Sequence, residues 1–83
     1  MADWDGVKSR ILETVFFNFT PDEVDASSDL AHDGYLDSLA IVSIVAIIDD
    51  HLGGEQAQRV AQRGDFQSLA AVEDLYRRLA GAA

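Results

Sequence analysis

Apolar residues return at helical spacing in three runs of this chain. In the first, Trp4, Val7, Ile11, Leu12, Val15 and Phe16 share one face while Lys8, Arg10 and Glu13 lie off it. This pattern predicts an amphipathic helix from about Trp4 to Phe17, stopped near Asn18. In the last run, Leu69, Val72, Leu75, Tyr76 and Leu79 form the stripe. Ser68 is placed to cap that helix and Gly81 to end it, and Arg77 and Arg78 sit where the helix dipole favours cations. Phe66, just ahead of the cap, is placed to pack back onto Val72.

The middle run, Ser38 to Leu52, gives conflicting signals. Ile41, Val42, Ile44, Val45, Ile47 and Ile48 are β-branched and favour a strand. The length of the run exceeds that of ordinary strands, Asp37 is a good N-cap, and Leu52-Gly53-Gly54 is a good helical stop. Together these predict a helix. At 100° per residue, Ile41, Ile44, Ile48 and Leu52 fall on one stripe, with Val45 beside it. Leu39, Val42, Ala46 and Asp49 fall on a second, with Ser43 and Asp50 nearby. One stripe fills a small core. Exposure of the other leaves an apolar patch beside Ser38 with two acids at its far end, which suggests a partner surface. The competing reading buries both stripes in a central helix, which is difficult for so small a domain.

Between the first and middle helices lies a long acidic loop. Thr20, Pro21 and Glu23 form a capping box with proline at the first helical position, enough to start a turn. Asp25 to Ser28 is turn chemistry. Val24, Leu30, Tyr35 and Leu36 are the residues expected to pin the loop to the core, and Gly34 can adopt positive φ. A short helical turn is expected over Glu55 to Ala61. No repeat or low-complexity linker interrupts the chain, so residues 1–83 are read as one domain.

Composition narrows the function. A chain of 83 residues hides only about 60% of the surface its unfolded form exposes, and its 48% apolar content argues against disorder. With no cysteine, it has neither disulfide nor thiolate metal site, so any sulfur chemistry must arrive on a cofactor. No stretch approaches the apolar length of a membrane helix, and "MADWDGVKSR" lacks the pattern of a secretory signal. The expected location is the cytoplasm, without membrane insertion. The net charge is −9, and it is concentrated: Thr20 to Gln58 holds nine acids and no Lys or Arg, while the flanks balance six acids with six bases. Nucleic acid and anionic membrane would be repelled, whereas a basic protein surface would be steered in. A solvated surface that merely keeps a small protein in solution is the plainer alternative.

Ser38 admits three chemistries. A hydrolytic nucleophile needs a base and an orienting acid. His32 and His51 are the only histidines, there is no G-x-S-x-G elbow, and so small a bundle has no room for a substrate cleft. A calcium loop would put Asp29, Asp33 and Gly34 at positions one, five and six, but Ala31 and Ala40 would then occupy positions three and twelve and cannot ligate. No metal site is expected. The third reading is a modification site. A serine in the first turn of a helix is exposed, and the unpaired N–H groups there favour a phosphate by about 0.3–1 kcal/mol.

At this point the stretch "DGYLDSLAIVSIVAIIDDHLG", with Asp37-Ser38-Leu39 at its centre, resembles the recognition segment of acyl carrier proteins. The resemblance extends over nearly the whole chain, through the first helix, the acidic loop and the closing "DFQSLAAVEDLYRRL" helix. It implies an all-α four-helix bundle with three longer helices, a short third helix and a long first loop. It also implies 4'-phosphopantetheine, taken from coenzyme A by a phosphopantetheinyl transferase and joined to Ser38, with Asp37 and Leu39 completing the attachment motif. A cargo would ride on the arm as a thioester. The family's docking surface maps onto Leu39, Val42, Ser43, Ala46, Asp49 and Asp50.

One departure bears on pathway. The family commonly carries Glu five residues after the serine, where this chain has Ser43. That makes a housekeeping fatty-acid role a poorer fit. The "GGHS" wording of peptidyl carriers is absent, and "DGYLDSL" is closer to free-standing D-alanyl carriers and to discrete carriers of specialised pathways. The expectation is therefore a free-standing, monomeric carrier rather than an enzyme. It would hold an acyl or aminoacyl group for a specialised polyketide, nonribosomal peptide or related pathway, and would be served by a loading ligase and downstream transfer enzymes. The alternatives are a D-alanyl carrier of cell-envelope modification and a helical interaction module whose Ser38 stays unmodified.

Overall fold

The computed structural model describes residues 4–82. It is a small, all-helical bundle. The helices are α1 (Trp4–Thr14), α2 (Pro21–Ala26), α3 (Ser38–Leu52), α4 (Gln56–Val60) and α5 (Leu69–Ala82), with a 3₁₀ turn at Arg63–Phe66 before α5. Among the described residues there are thus five α-helices where four were expected. The extra one is α2. Its capping box is complete: the Glu23 backbone N–H donates to Thr20 Oγ1 at 3.3 Å, and the Thr20 backbone N–H donates to Glu23 Oε2 at 2.8 Å. Four orphan N–H groups at a helix start are the main obstacle to so short a helix, and the box satisfies two donors at once.

The ambiguous middle run is helical from Ser38 to Leu52. Tertiary burial overrides its β-branched propensity. Ile44, Ile47 and Ile48 are buried, and Ile41, Val45 and Leu52 pack partly against the same core. Gly53 ends the helix in the left-handed conformation at φ 78°, with its N–H donating to the Asp49 carbonyl at 2.8 Å.

Two boundaries differ from the periodicity. The first helix ends at Thr14 rather than Phe17. The Val15 and Phe16 amides both donate to the Ile11 carbonyl, at 2.8 and 3.4 Å, so the last turn loosens. That turns Phe16 into the core and leaves Phe17 69% exposed. The β-branched and aromatic residues there are mediocre helix formers and resist the change little. At the other end, α5 continues through Gly81 to Ala82, because Gly81 does not take positive φ.

α1 packs against both α3 and α5, α4 bridges α3 and α5, and α2 lies on α5. The expected stripes supply the core: Trp4, Val7, Ile11 and Phe16 from the first run, and Leu69, Val72, Leu75, Tyr76 and Leu79 from the last. Trp4 and Tyr76 meet with ring centroids 6.0 Å apart. Phe66 and Val72 join the same cluster.

Candidate functional site

The loop before α3 is acidic but folded. Leu30 is fully buried, and its N–H donates to the Gln67 carbonyl at 2.7 Å, tying the loop to the segment ahead of α5. Its carbonyl accepts from the Tyr35 and Leu36 amides at 2.9 and 3.1 Å. That reversal is made at Gly34, whose φ of 87° is costly for any residue with a Cβ. Phe19 meets Tyr35 edge-on with centroids 4.8 Å apart. The loop acids take local partners: Ser27 Oγ donates to Asp33 Oδ2 at 2.6 Å, and the His32 N–H to Asp29 Oδ1 at 3.1 Å. Val24 and Leu36 are buried and Tyr35 is partly buried, as the expected pinning requires.

This folded loop delivers Asp37 to the start of α3. Asp37 has extended backbone and its Oδ1 accepts from the Ala40 N–H at 2.8 Å. Ser38 is the next residue, the first of the helix, and it is exposed. The two histidines are not drawn in with it. His32 is exposed on the loop, and His51 stands thirteen residues along α3, about 20 Å away at 1.5 Å per residue.

Ser38 lies on a groove of about 390 Å³ that it shares with Leu36, Asp37, Ile41, Arg63 and Phe66. A second groove, of about 470 Å³, runs between α3 and α4 and is walled chiefly by Ile41, Val45, Ala57, Ala61 and Phe66. Ile41, Arg63 and Phe66 belong to both, so the grooves adjoin at these three side chains. Arg63 has no local sequence signal. It joins Ser38 only as part of the same groove lining, 25 positions further along the chain, and sequence reasoning therefore missed it.

The second stripe of α3 is split. Leu39 is 73% and Val42 63% exposed, Ala46 is exposed, and Ser43 is half-buried. Asp49 departs from the expected exposed acid: it is buried, with 9% exposure. Its Oδ1 accepts from the Ala57 N–H at 2.7 Å and its Oδ2 from the Gln58 N–H at 3.2 Å. The carboxylate caps α4, whose own N-cap residue, Glu55, makes no side-chain cap. Asp49 is withdrawn from the exposed surface for that reason. Asp50 remains exposed and pairs with Arg10, Oδ2 to Nη1 at 2.6 Å. The hydrogen bond and charge of that guanidinium hold its carboxyl below the usual aspartate value.

Among the described residues, no group of three or more acidic or histidine side chains is arranged to hold a metal ion, and no helix is long and apolar enough to cross a membrane. No protein-family model, characterised protein or solved structure matches the chain.

Proposed function

We propose that this protein is a carrier of the acyl carrier type, whose Ser38 bears 4'-phosphopantetheine. The observation that carries the reading is Ser38 itself, exposed as the first residue of α3, behind a capping aspartate and at the edge of an open groove. An arm fixed there is free to leave the protein, and the helix N-terminus is a favourable place for its phosphate. In the transfer, Ser38 Oγ attacks the phosphorus of coenzyme A that bears pantetheine. The pyrophosphate bond breaks, adenosine 3',5'-bisphosphate leaves, and the serine proton passes to a base of the transferase. When attached, the group supplies a thiol on which a cargo is held as a thioester.

The chain's own residues then present the arm. Asp37 holds the first turn, while Leu39, Val42, Ser43 and Ala46 offer a partly apolar face to partner enzymes, with Asp50, paired to Arg10, at its far end. Tethering raises the effective concentration of the cargo at each of them. Ser43, where the family commonly has glutamate, favours a specialised-pathway or D-alanyl carrier over a housekeeping fatty-acid carrier.

Intact mass after incubation with coenzyme A and a broad-specificity phosphopantetheinyl transferase tests the reading. One phosphopantetheine added to the wild type and none to Ser38→Ala supports it. No addition to the wild type overturns it in favour of an unmodified helical interaction module.

A further inference from the structure

We infer that Arg63 is the anchor for the phosphodiester that joins the arm to Ser38; this inference rests on the carrier reading above. Of the six basic residues, Lys8, Arg10, Arg77 and Arg78 are committed to ion pairs with Asp25, Asp50, Glu73 and, for Arg78, both Asp65 and Asp74. Arg59 and Arg63 take part in none of these pairs, although the protein carries nine net negative charges, and of the two it is Arg63 that lines the groove holding Ser38. Two carboxylates, Asp29 and Asp37, line the same groove; each accepts a backbone N–H through Oδ1, from His32 and Ala40, and neither forms an ion pair with Arg63. An uncommitted guanidinium on the same groove as an attachment hydroxyl is suited to an oxyanion placed on that hydroxyl, because its planar donor fork matches two phosphate oxygens at once.

Position gives the contact a direction. Arg63 belongs both to the Ser38 groove and to the apolar α3–α4 groove. A phosphate held by Arg63 starts the arm toward that second groove rather than out over the acidic loop. Arg63 acts here as a positioning residue.

The phosphodiester is also the probe. Holo wild type, Arg63→Gln and Arg63→Lys are prepared without cargo and checked by intact mass. The ³¹P resonance of each is then compared with that of a phosphopantetheinylated peptide spanning Asp37-Ser38-Leu39. The wild-type resonance is expected to stand apart from that of Arg63→Gln and to move toward it as salt is raised; Arg63→Lys, which keeps the charge but loses the fork, is expected to fall between. Coincident, salt-insensitive resonances for wild type and Arg63→Gln would overturn the contact while leaving the carrier reading standing. A carboxylate at the far end of a cargo is the other oxyanion Arg63 could meet; a difference that arises only with a dicarboxylic cargo loaded assigns Arg63 to the cargo and overturns the phosphate anchor. Failure of all three proteins to gain mass overturns the carrier reading itself.

Discussion

The Asp49 side chain, on α3, caps the start of α4 by accepting the Ala57 N–H at 2.7 Å. Its neighbour Asp50 points elsewhere, to Arg10. Two consecutive acids thus do different work: one holds a short helix in place, and the other remains on the surface.

Substitution should separate them. Asp49→Ala leaves two N–H groups of α4 without their charged acceptor, and hydrogen bonds to charged groups contribute about 1.5–3 kcal/mol each. The expected loss is therefore at least about 1.5 kcal/mol, with α4 and the adjoining groove the first region to open. Asp50→Ala breaks only an exposed, solvent-screened ion pair and should cost clearly less. Urea unfolding measures both, and amide hydrogen exchange of Ala57 and Gln58 reports whether the loss is local. Equal costs for the two variants would contradict the assignment.

Acid should weaken the fold in part through two exposed carboxylates. The Thr20 backbone N–H, and then its hydroxyl, hold Glu23 below its ordinary value of 4.5. The Arg10 hydrogen bond and charge hold Asp50 below 3.8. A carboxyl depressed in the folded state contributes stability above its unfolded pKa and loses it as pH falls through the folded one. Thermal midpoints should therefore fall as pH drops below about 4.5. Glu23→Gln, which keeps an acceptor for the capping box but cannot titrate, should flatten that fall. An unchanged slope would show that ionisation of Glu23 does not contribute to the acid dependence.

Gly34 and Gly53 take positive φ, at 87° and 78°, with nothing within 4 Å of either added Cβ. The cost of alanine is then a backbone cost alone, about 1–2 kcal/mol at each. Asparagine, which tolerates that conformation, should recover part of it. Chemical denaturation of the four variants checks this.

The exposed apolar face should matter to partners and little to folding. Val42 is 63% exposed. On the carrier reading, Val42→Asp is expected to slow transfer of phosphopantetheine to Ser38 at least several-fold while moving the unfolding midpoint little, since exposed substitutions away from special features stay within about 0.5 kcal/mol. Transferase kinetics at low and high salt provide the measurement, and an unchanged rate would remove Val42 from the docking face.

Much of this protein is local and therefore legible. Asp37 as a cap, Ser38 as the first helical residue, Gly53 as the stop and the Thr20–Glu23 box each depend on backbone groups within a few residues, so the order of residue types along the chain determines them. The stripes of α1 and α5 are equally readable, because helical periodicity alone sorts the buried side chains from the exposed ones. What stayed hidden depends on segments that return from elsewhere. Asp49 and Asp50 are the same residue type, side by side; only the placement of α4 decides which of them is buried. Arg63 lies 25 positions after Ser38 in the chain, and only the tertiary fold puts both on one groove. Chain order thus set the main helices, their local caps and the exposed serine, whereas the packing of α4 and the turn after it decided which charged residues line that serine's groove and which are buried in the fold.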